Sequence, residues 1–274
     1  MHSAGFEKVI FEYEPIGAAY HYETRLDHDE LILVADFGGG TSDFSLLRVG
    51  PTFRRVRGSR EILGTDGVPL AGDAFDAKLV RHLVSPLLGQ GTSYKSLGKD
   101  LQMPAWIYIK LERWHHLSLL KSKETMQVLK SLRIQSQEPD KIEALIHLVE
   151  EDLGFYLHQA VQRAKLELSA GDATIFSFQV PGISISHLVT RKNFEQWIAE
   201  ELLHISGCVD GLLTRVGVSR KDVNKVFLTG GSSFVPAVRR IFEQRFGAER
   251  LVAGDEFSSV ARGLALRALD LSAR

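Results

Sequence analysis

Cysteine is almost absent: Cys208 is the only one in 274 residues. No internal disulfide can form, and a reducing, cytoplasmic setting suits such a chain. Net charge is nearly absent too. Thirty-three Lys and Arg face 34 Asp and Glu, for a formal charge of -1, so no global field draws the chain to nucleic acid or membrane. No apolar run approaches the ~20 residues of a membrane span, and the opening "MHSAGFEKVI" does not read as a secretory leader. Metal-ligand spacing is missing among the ten histidines; His115 and His116 are adjacent and diverge on a helix. No G-x-S-x-G occurs. "GQGTSYKSLGKD" is not a P-loop, because Ser93 stands where the first glycine belongs and Asp100 follows Gly98-Lys99.

What remains is ordinary globular composition, 44% hydrophobic and 24% charged, enough for one large core or two smaller ones. The densest basic run, Arg54, Arg55, Arg57 and Arg60, reads as a solvated strand face rather than a nucleic-acid patch. Cys208, between Ile205 and Val209 on a helical pattern, reads as packing.

The ends of the chain are mixed α/β and the middle is helix-rich. "LILVADF" has the length and continuous apolarity of a strand covered on both faces. "FSLLRV" and "TFRRVR" read as further strands, punctuated by Gly50-Pro51. "LAGDAFDAKLVRHLV" changes period: Phe75, Leu79, Val80, Leu83 and Val84 share one helix face, with Asp73 as cap. Two helical stripes follow, Ile142 to Leu153 and Leu157 to Leu168, and Trp106 and Trp114 upstream read as core. "FSFQV" is strand-like. "ISISHLVT" leads into one long helix from Phe194 to Val216. "KVFLTGGSSFVPAVRRIFEQRF" is strand, double glycine, helix, with Ser232 or Ser233 as cap and Pro236 in the first turn. A final helix carries Val260, Leu264 and Leu269. Residues 1–68 and 188–274 therefore form one α/β subdomain. Residues 69–187 form an inserted helix-rich subdomain, with linkers near Gly67 and residue 187.

Two glycine segments carry the chemistry. In "VADFGGGTSDFSLL", three glycines join two strands with an aspartate on each side. Glycine permits positive φ and close backbone approach, and successive amides in such a turn can converge on an anion. Asp36 stands at a strand end and suits Mg²⁺, which keeps most of its waters and takes one or two protein oxygens plus phosphate. Thr41 adds a hydroxyl and Asp43 a second acid. The plain alternative is a tight hairpin without a ligand. "TGGSS" at 229–233 is a strand-to-helix turn that can bring backbone near a ligand, or serve packing alone.

Taken together in this order, the segments resemble the actin-like ATPase superfamily, and more closely the nucleotide-binding domain of DnaK-type heat-shock chaperones. "YEPIGAAY", "DFGGGTSDFSLL", "LAGDAFD", "QRAKLELS" and "VFLTGGSSFVP" match that family's motifs in order. The spacing between Asp73 and Gln162 is longer than the family's, with an enlarged helical insertion near 90–155, which is similar to the atypical YegD-type members. The resemblance implies a ribonuclease H-like α/β fold, a mixed sheet with flanking helices plus an inserted helix-rich α+β subdomain. It implies the second lobe of a two-lobed ATPase whose first lobe lies outside this sequence: a fragment, a separate chain or a decayed gene. ATP or ADP and Mg²⁺ are the implied ligands. Asp36 and Glu14 would hold the metal, Glu14 through water, and would be the catalytic pair. Gly38, Gly39, Gly40 and Thr41 would meet the phosphates, and Gly72 the ribose. Lys165 and Ser169 would meet the ribose or base, and Gly230, Gly231 and Ser232 the adenosine. Gln162, Leu166 and Phe234 replace the family's polar residues around the base, and Phe257 replaces an aspartate. Phe234 would then stack on adenine, or the slot has closed by packing.

The implied function is the ATP-binding lobe of a YegD-type chaperone, with hydrolysis only when the first lobe completes the cleft. Implied partners are that lobe and a client or co-chaperone, with no nucleic acid and no membrane. A non-catalytic interaction module is the alternative. A sugar kinase or polyphosphatase of the same superfamily is the third reading.

Overall fold

The computed structural model describes residues 5, 9, 14–23, 25–55, 61–252 and 259–272. In chain order its elements are α1 (Glu14–Glu23), β1 (Glu30–Phe37), β2 (Ser42–Val49), α2 (Pro51–Arg55), β3 (Glu61–Val68), α3 (Gly72–Leu79), β4 (Ser93–Ser96), β5 (Lys99–Gln102), α4 (Ala105–Leu111), α5 (Leu117–Leu120), α6 (Lys123–Gln135), α7 (Pro139–Glu150), α8 (Gly154–Ala170), β6 (Ala173–Val180), β7 (Ile183–Thr190), α9 (Arg191–Trp197), α10 (Ala199–Val216), β8 (Lys225–Thr229), α11 (Pro236–Phe246), β9 (Leu251–Val252) and α12 (Ser259–Ser272). They form two compact units, 1–72 with 202–274, and 73–201.

The first unit is built on a five-stranded sheet in the order β3-β2-β1-β8-β9. The meander β1-β2-β3 is antiparallel, while β8 runs parallel to β1 and β9 parallel to β8. This mixed order is the ribonuclease H-like arrangement of actin-like ATPases, the expected class. Strand β1 is apolar on both faces because both are covered. On one face Ile32, Val34, Leu47 and Val49 pack with Ala19 of α1. On the other, Phe37 and Phe44 each meet Phe242 of α11, with ring centroids 5.9 and 6.4 Å apart. Helices α1 and α12 cross where two glycines meet: a Cβ at Gly263 would lie 1.7 Å from the Gly17 carbonyl oxygen.

The second unit has two separate hairpins, β4-β5 and β6-β7, among its helices. Its core holds the expected stripes; Ile142, Leu145, Leu157 and Leu168 are all buried. Phe75 and Phe194 pack edge to face. Two ion pairs with a buried carboxylate tie helices together: Lys78–Glu201 at 2.9 Å and Arg81–Glu112, where the guanidinium donates to both carboxylate oxygens. No helix among the described residues is long and apolar enough to cross a membrane.

Several local expectations are corrected. "TFRRVR" does not continue as a strand; residues 51–55 are helical. Pro51 supplies the helical φ of a first turn, after Gly50 turns the chain at φ +137°. Residues 56–60 lie outside the described residues. Gly67 is inside β3 rather than in a linker, and residue 187 is inside β7, where His187 pairs with Phe176. The helix beginning at Phe194 is two helices, α9 and α10, separated at the buried Ile198. Val235, not a serine, is the N-cap of α11; Ser233 instead donates its hydroxyl hydrogen to the Gly230 carbonyl at 2.6 Å. The P-loop look-alike is the β4-β5 hairpin.

His158 of α8 is buried, and burial pushes its pKa down to about 4; His115 and Lys165 push the same way, while Asp73 opposes them. It is therefore neutral in the folded protein and titrates near 6.5 in the unfolded chain. Between those values the unfolded state binds more protons, so its contribution is present above pH 6.5 and is lost as pH falls through the folded value. Urea titrations from pH 7 to pH 4.5 should show falling stability, with His158→Gln removing about one proton's worth of that slope. In the first unit, Phe242→Ala should cost ~3–5 kcal/mol by denaturant titration, because it leaves Phe37 and Phe44 facing a cavity.

Candidate functional site

Residues 38–41 close the β1-β2 hairpin. The last ladder pairs before the turn are Asp36 with Asp43 and Phe37 with Ser42. Phe37 is buried at one end and Phe44 near the other, so the turn is pinned from below and its tip is free. The Gly38 amide donates to the Thr41 carbonyl at 2.9 Å, and the Gly38 carbonyl accepts from the Gly72 amide at 3.5 Å. The amides of Gly39, Gly40 and Thr41 have no acceptor among the described residues, and all three residues are exposed. None of Gly38, Gly39 and Gly40 takes a positive φ. Glycine is therefore not demanded here by backbone conformation. A Cβ at Gly40 would point into open space. The turn offers uncapped donors where a ligand can approach backbone.

The second glycine segment lies against the first. Thr229 pairs with Asp36 across the parallel β1-β8 ladder. Its hydroxyl donates to Asp36 Oδ1 at 2.7 Å, which fixes the carboxylate; Oδ2 has no partner among the described residues. Gly230 has φ +80°, and a Cβ there would lie 2.1 Å from the Phe37 carbonyl oxygen. Only glycine lets β8 leave the sheet this close to β1. Gly231 is exposed with open space at its Cβ position, whereas Ser232 is buried. Phe234 is 46% exposed.

Four residues form a row across the sheet: Gly67, Asp43, Asp36 and Thr229. Directly opposed residues share a face, so Asp36 and Asp43 project on the same side. The Thr41 hydroxyl donates to Asp43 Oδ2 at 2.8 Å. A Cβ at Gly67 would lie 2.7 Å from Asp43 Oδ1, so this glycine makes room for the carboxylate. Among the described residues no group of three His, Cys, Asp or Glu side chains could hold a metal. Two carboxylates beside exposed amides nonetheless suit an ion that retains its waters and shares phosphate.

The remaining expected residues are placed as follows. Glu14 is the first residue of α1, but its side chain lies outside the described residues, as does Phe257. Gly72 belongs to the first unit and meets the turn through the Gly38 carbonyl. Lys165 and Ser169 belong to the second unit. Lys165 pairs with the buried Asp76 at 2.9 Å, and Ser169 donates its hydroxyl hydrogen to the Lys165 carbonyl. Leu166, also in that unit, is 68% exposed. Cys208 packs beside Asp66; burial, then the Asp66 charge, pushes its thiol up to about 11, so it is unreactive at neutral pH. Sequence alone does not mark Thr229 as a positioning residue. Its signal was available in "TGGSS", but only the strand register reveals its partner.

Gly230 and Gly40 should respond oppositely to alanine. Gly230→Ala should lose at least ~2 kcal/mol in denaturant titration, from the clash and the positive φ. Gly40→Ala should stay within about 0.5 kcal/mol of the parent.

A sequence model described as Hsp70 protein matches residues 2–103 and 146–273. The chain is 28% identical over 266 residues to a chaperone protein DnaK of Deinococcus proteolyticus, covering 93% of this chain and 33% of that protein. It is 30% identical over 278 residues to heat shock 70 kDa protein 7, chloroplastic, of Arabidopsis thaliana, covering 98% and 30%. It is 27% identical over 274 residues to the stromal 70 kDa heat shock-related protein, chloroplastic, of Pisum sativum, covering 97% and 30%. The chain thus spans about a third of the length of the curated relatives it matches. With the sheet order, the paired glycine segments and a family match on both sides of 104–145, this chain belongs to the Hsp70 family.

Proposed function

We propose that this chain is an ATP-binding lobe of a DnaK-like chaperone of the YegD type, which needs a first lobe outside these 274 residues to hydrolyse ATP. The observation that carries this is the uncapped, exposed amide trio of Gly39, Gly40 and Thr41, set beside a carboxylate that Thr229 holds in place. These amides would donate to the phosphate oxygens of ATP or ADP, and helical or sheet hydrogen bonding does not compete for them. Asp36, through its free Oδ2, would orient a water of the bound Mg²⁺, with Glu14 doing so from α1. When bound, Mg²⁺ supplies charge neutralisation along the phosphates. Gly231 and Phe234 are the exposed members of the expected adenosine segment, and Phe234 would stack on the base. Gly230 acts by letting β8 close on β1, and Gly72 by abutting the turn. Lys165 and Ser169 would meet the ribose or base.

The unmatched stretch 104–145 supports the YegD assignment, since an enlarged helical insertion is what marks those members. A client or co-chaperone would engage that insertion. We place the protein in the cytoplasm, in keeping with its single unreactive cysteine and its bacterial DnaK relative. The chloroplastic relatives fit a plastid equally. A second reading, a non-catalytic interaction module, is favoured by the exposed Trp106, Ile109, Trp114 and Leu119 on this stretch. Membership of the Hsp70 family leaves the sugar-kinase and polyphosphatase reading without support.

Purified chain 1–274 should turn over ATP negligibly. Adding the first lobe of a DnaK relative in trans should restore turnover, and Asp36→Ala should reduce that by on the order of 10²-fold. Turnover by the chain alone that Asp36→Ala abolished would refute the two-lobe requirement. Calorimetry showing no Mg-ATP binding even with the added lobe would favour the interaction module.

A further inference from the structure

The hairpin β4-β5 of the second unit has one edge covered and the other open. On the outer side of β4, Ser136 pairs with Tyr94 and the Gln137 amide donates to the Ser93 carbonyl at 3.0 Å. Strand β5 has no strand beyond it, and all four of its residues, Lys99, Asp100, Leu101 and Gln102, are exposed. Ladder geometry fixes which backbone groups face the open edge. The Met103 amide donates to the Thr92 carbonyl at 2.9 Å, one step past the Ser93–Gln102 pair. Bonded and non-bonded pairs alternate along an antiparallel ladder. Tyr94–Leu101 and Ser96–Lys99 are therefore the bonded pairs. The amides and carbonyls of Asp100 and Gln102 point away from β4, and neither amide has an acceptor among the described residues. Such an edge is a template for another strand, usually blunted by proline, a bulge or charge. Strand β5 has no proline and no bulge, and its one lysine, Lys99, stands at the turn end.

The turn is a second, independent observation. Leu97 takes φ +50° and Gly98 φ +78°, the two left-handed positions of a two-residue hairpin turn. Asparagine or aspartate suits the first position; leucine is strained there, and its side chain is fully exposed. The turn gains nothing from this leucine. Leu101, Trp106 and Ile109, which follow it into α4, are exposed as well.

We propose that β5 pairs with β5 of a second copy of this chain, antiparallel about a two-fold axis at Leu101, forming a four-stranded sheet β4-β5-β5-β4. An antiparallel edge is self-complementary about a two-fold, so one surface supplies both sides. The opposed residues decide the register. Centred on Leu101, Asp100 meets Gln102 of the second copy, four backbone hydrogen bonds form, and no like charges stand directly opposite. The two Leu101 side chains meet as a close non-bonded pair. Centred on Asp100 instead, two carboxylates would face each other. Centred on Gln102, Asp100 would face Pro104, which has no amide to donate. Continued past the strand, the Leu101 register sets Leu97 opposite Ala105 of the second copy, beside its Trp106 and Ile109. One arrangement thus covers all four exposed apolar side chains. The contact is small, so the dimer belongs to the weak, transient class. The inference is independent of the nucleotide reading, because it shares no residue with the glycine turns.

Sedimentation velocity on the full chain from about 5 to 500 µM should show a monomer–dimer equilibrium. Over the same range the Asp100 and Gln102 amides should gain protection from hydrogen exchange. The Leu101 amide is already bonded within the hairpin and should change little. Gln102→Pro removes one outward amide from each copy, two of the four bonds, and leaves the β4-β5 ladder intact. It should weaken association about tenfold. Leu101→Lys sets like charges on the axis and should abolish the dimer. Leu97→Asn suits the turn, so it should raise the thermal midpoint of the monomer while weakening the dimer; a leucine serving the turn alone would not separate those readouts. A chain that stays monomeric at the highest concentration overturns the proposal and leaves the edge to an extended segment of another protein. A dimer that survives both Gln102→Pro and Leu101→Lys overturns it too, as does exchange at Asp100 and Gln102 that ignores concentration. That last readout needs only the parent protein.

Discussion

Gly230 meets the Phe37 carbonyl at a separation that no side chain could share. Everything at the candidate site depends on that approach. It lets β8 leave the sheet directly beside the end of β1, so two glycine segments far apart in sequence become neighbours. The same parallel pairing sets Thr229 against Asp36 and fixes the carboxylate by one hydrogen bond. Beneath, Phe37, Phe44 and Phe242 hold the strand ends in a packed aromatic cluster. The turn above them can therefore be exposed and short of internal hydrogen bonds without losing its position. A rigid base with uncapped donors at its tip is what anion recognition by backbone requires.

Much of this frame is legible in the sequence because its signals are local. A continuous apolar strand, a period change at "LAGDAFD" and a proline after a double glycine each name their own structure. The failures are equally local in cause. The surroundings of Gly67 read as a linker, yet they are β3. Gly64 leaves room for Val216 and Leu212, and Gly67 leaves room for Asp43. Their purpose lies in partners far along the chain, which no window of sequence contains. "TFRRVR" alternates like a strand, but the constraint of Pro51 prevails over the alternation. Three consecutive glycines suggested positive φ; the turn does without it, and the need for glycine rests on access instead.

The two units differ in what they contribute. The first carries the sheet, the paired glycine segments and the family's pattern. The second carries a stretch the family model does not match, with its own exposed aromatics. Physical economy explains the division. The sheet admits few substitutions where backbones touch, at Gly230 and at the Gly17–Gly263 crossing, whereas a helical insertion can acquire a surface without disturbing a ladder.

In the proposed function the amides of Gly39, Gly40 and Thr41 donate to an anion. Backbone amide NMR tests it most directly. Without nucleotide these three amides should exchange rapidly with water, and Mg-ADP titrated to millimolar concentration should shift them ahead of other resonances. Slow exchange in the free protein, or Mg-ADP shifts that bypass 39–41, would contradict the account.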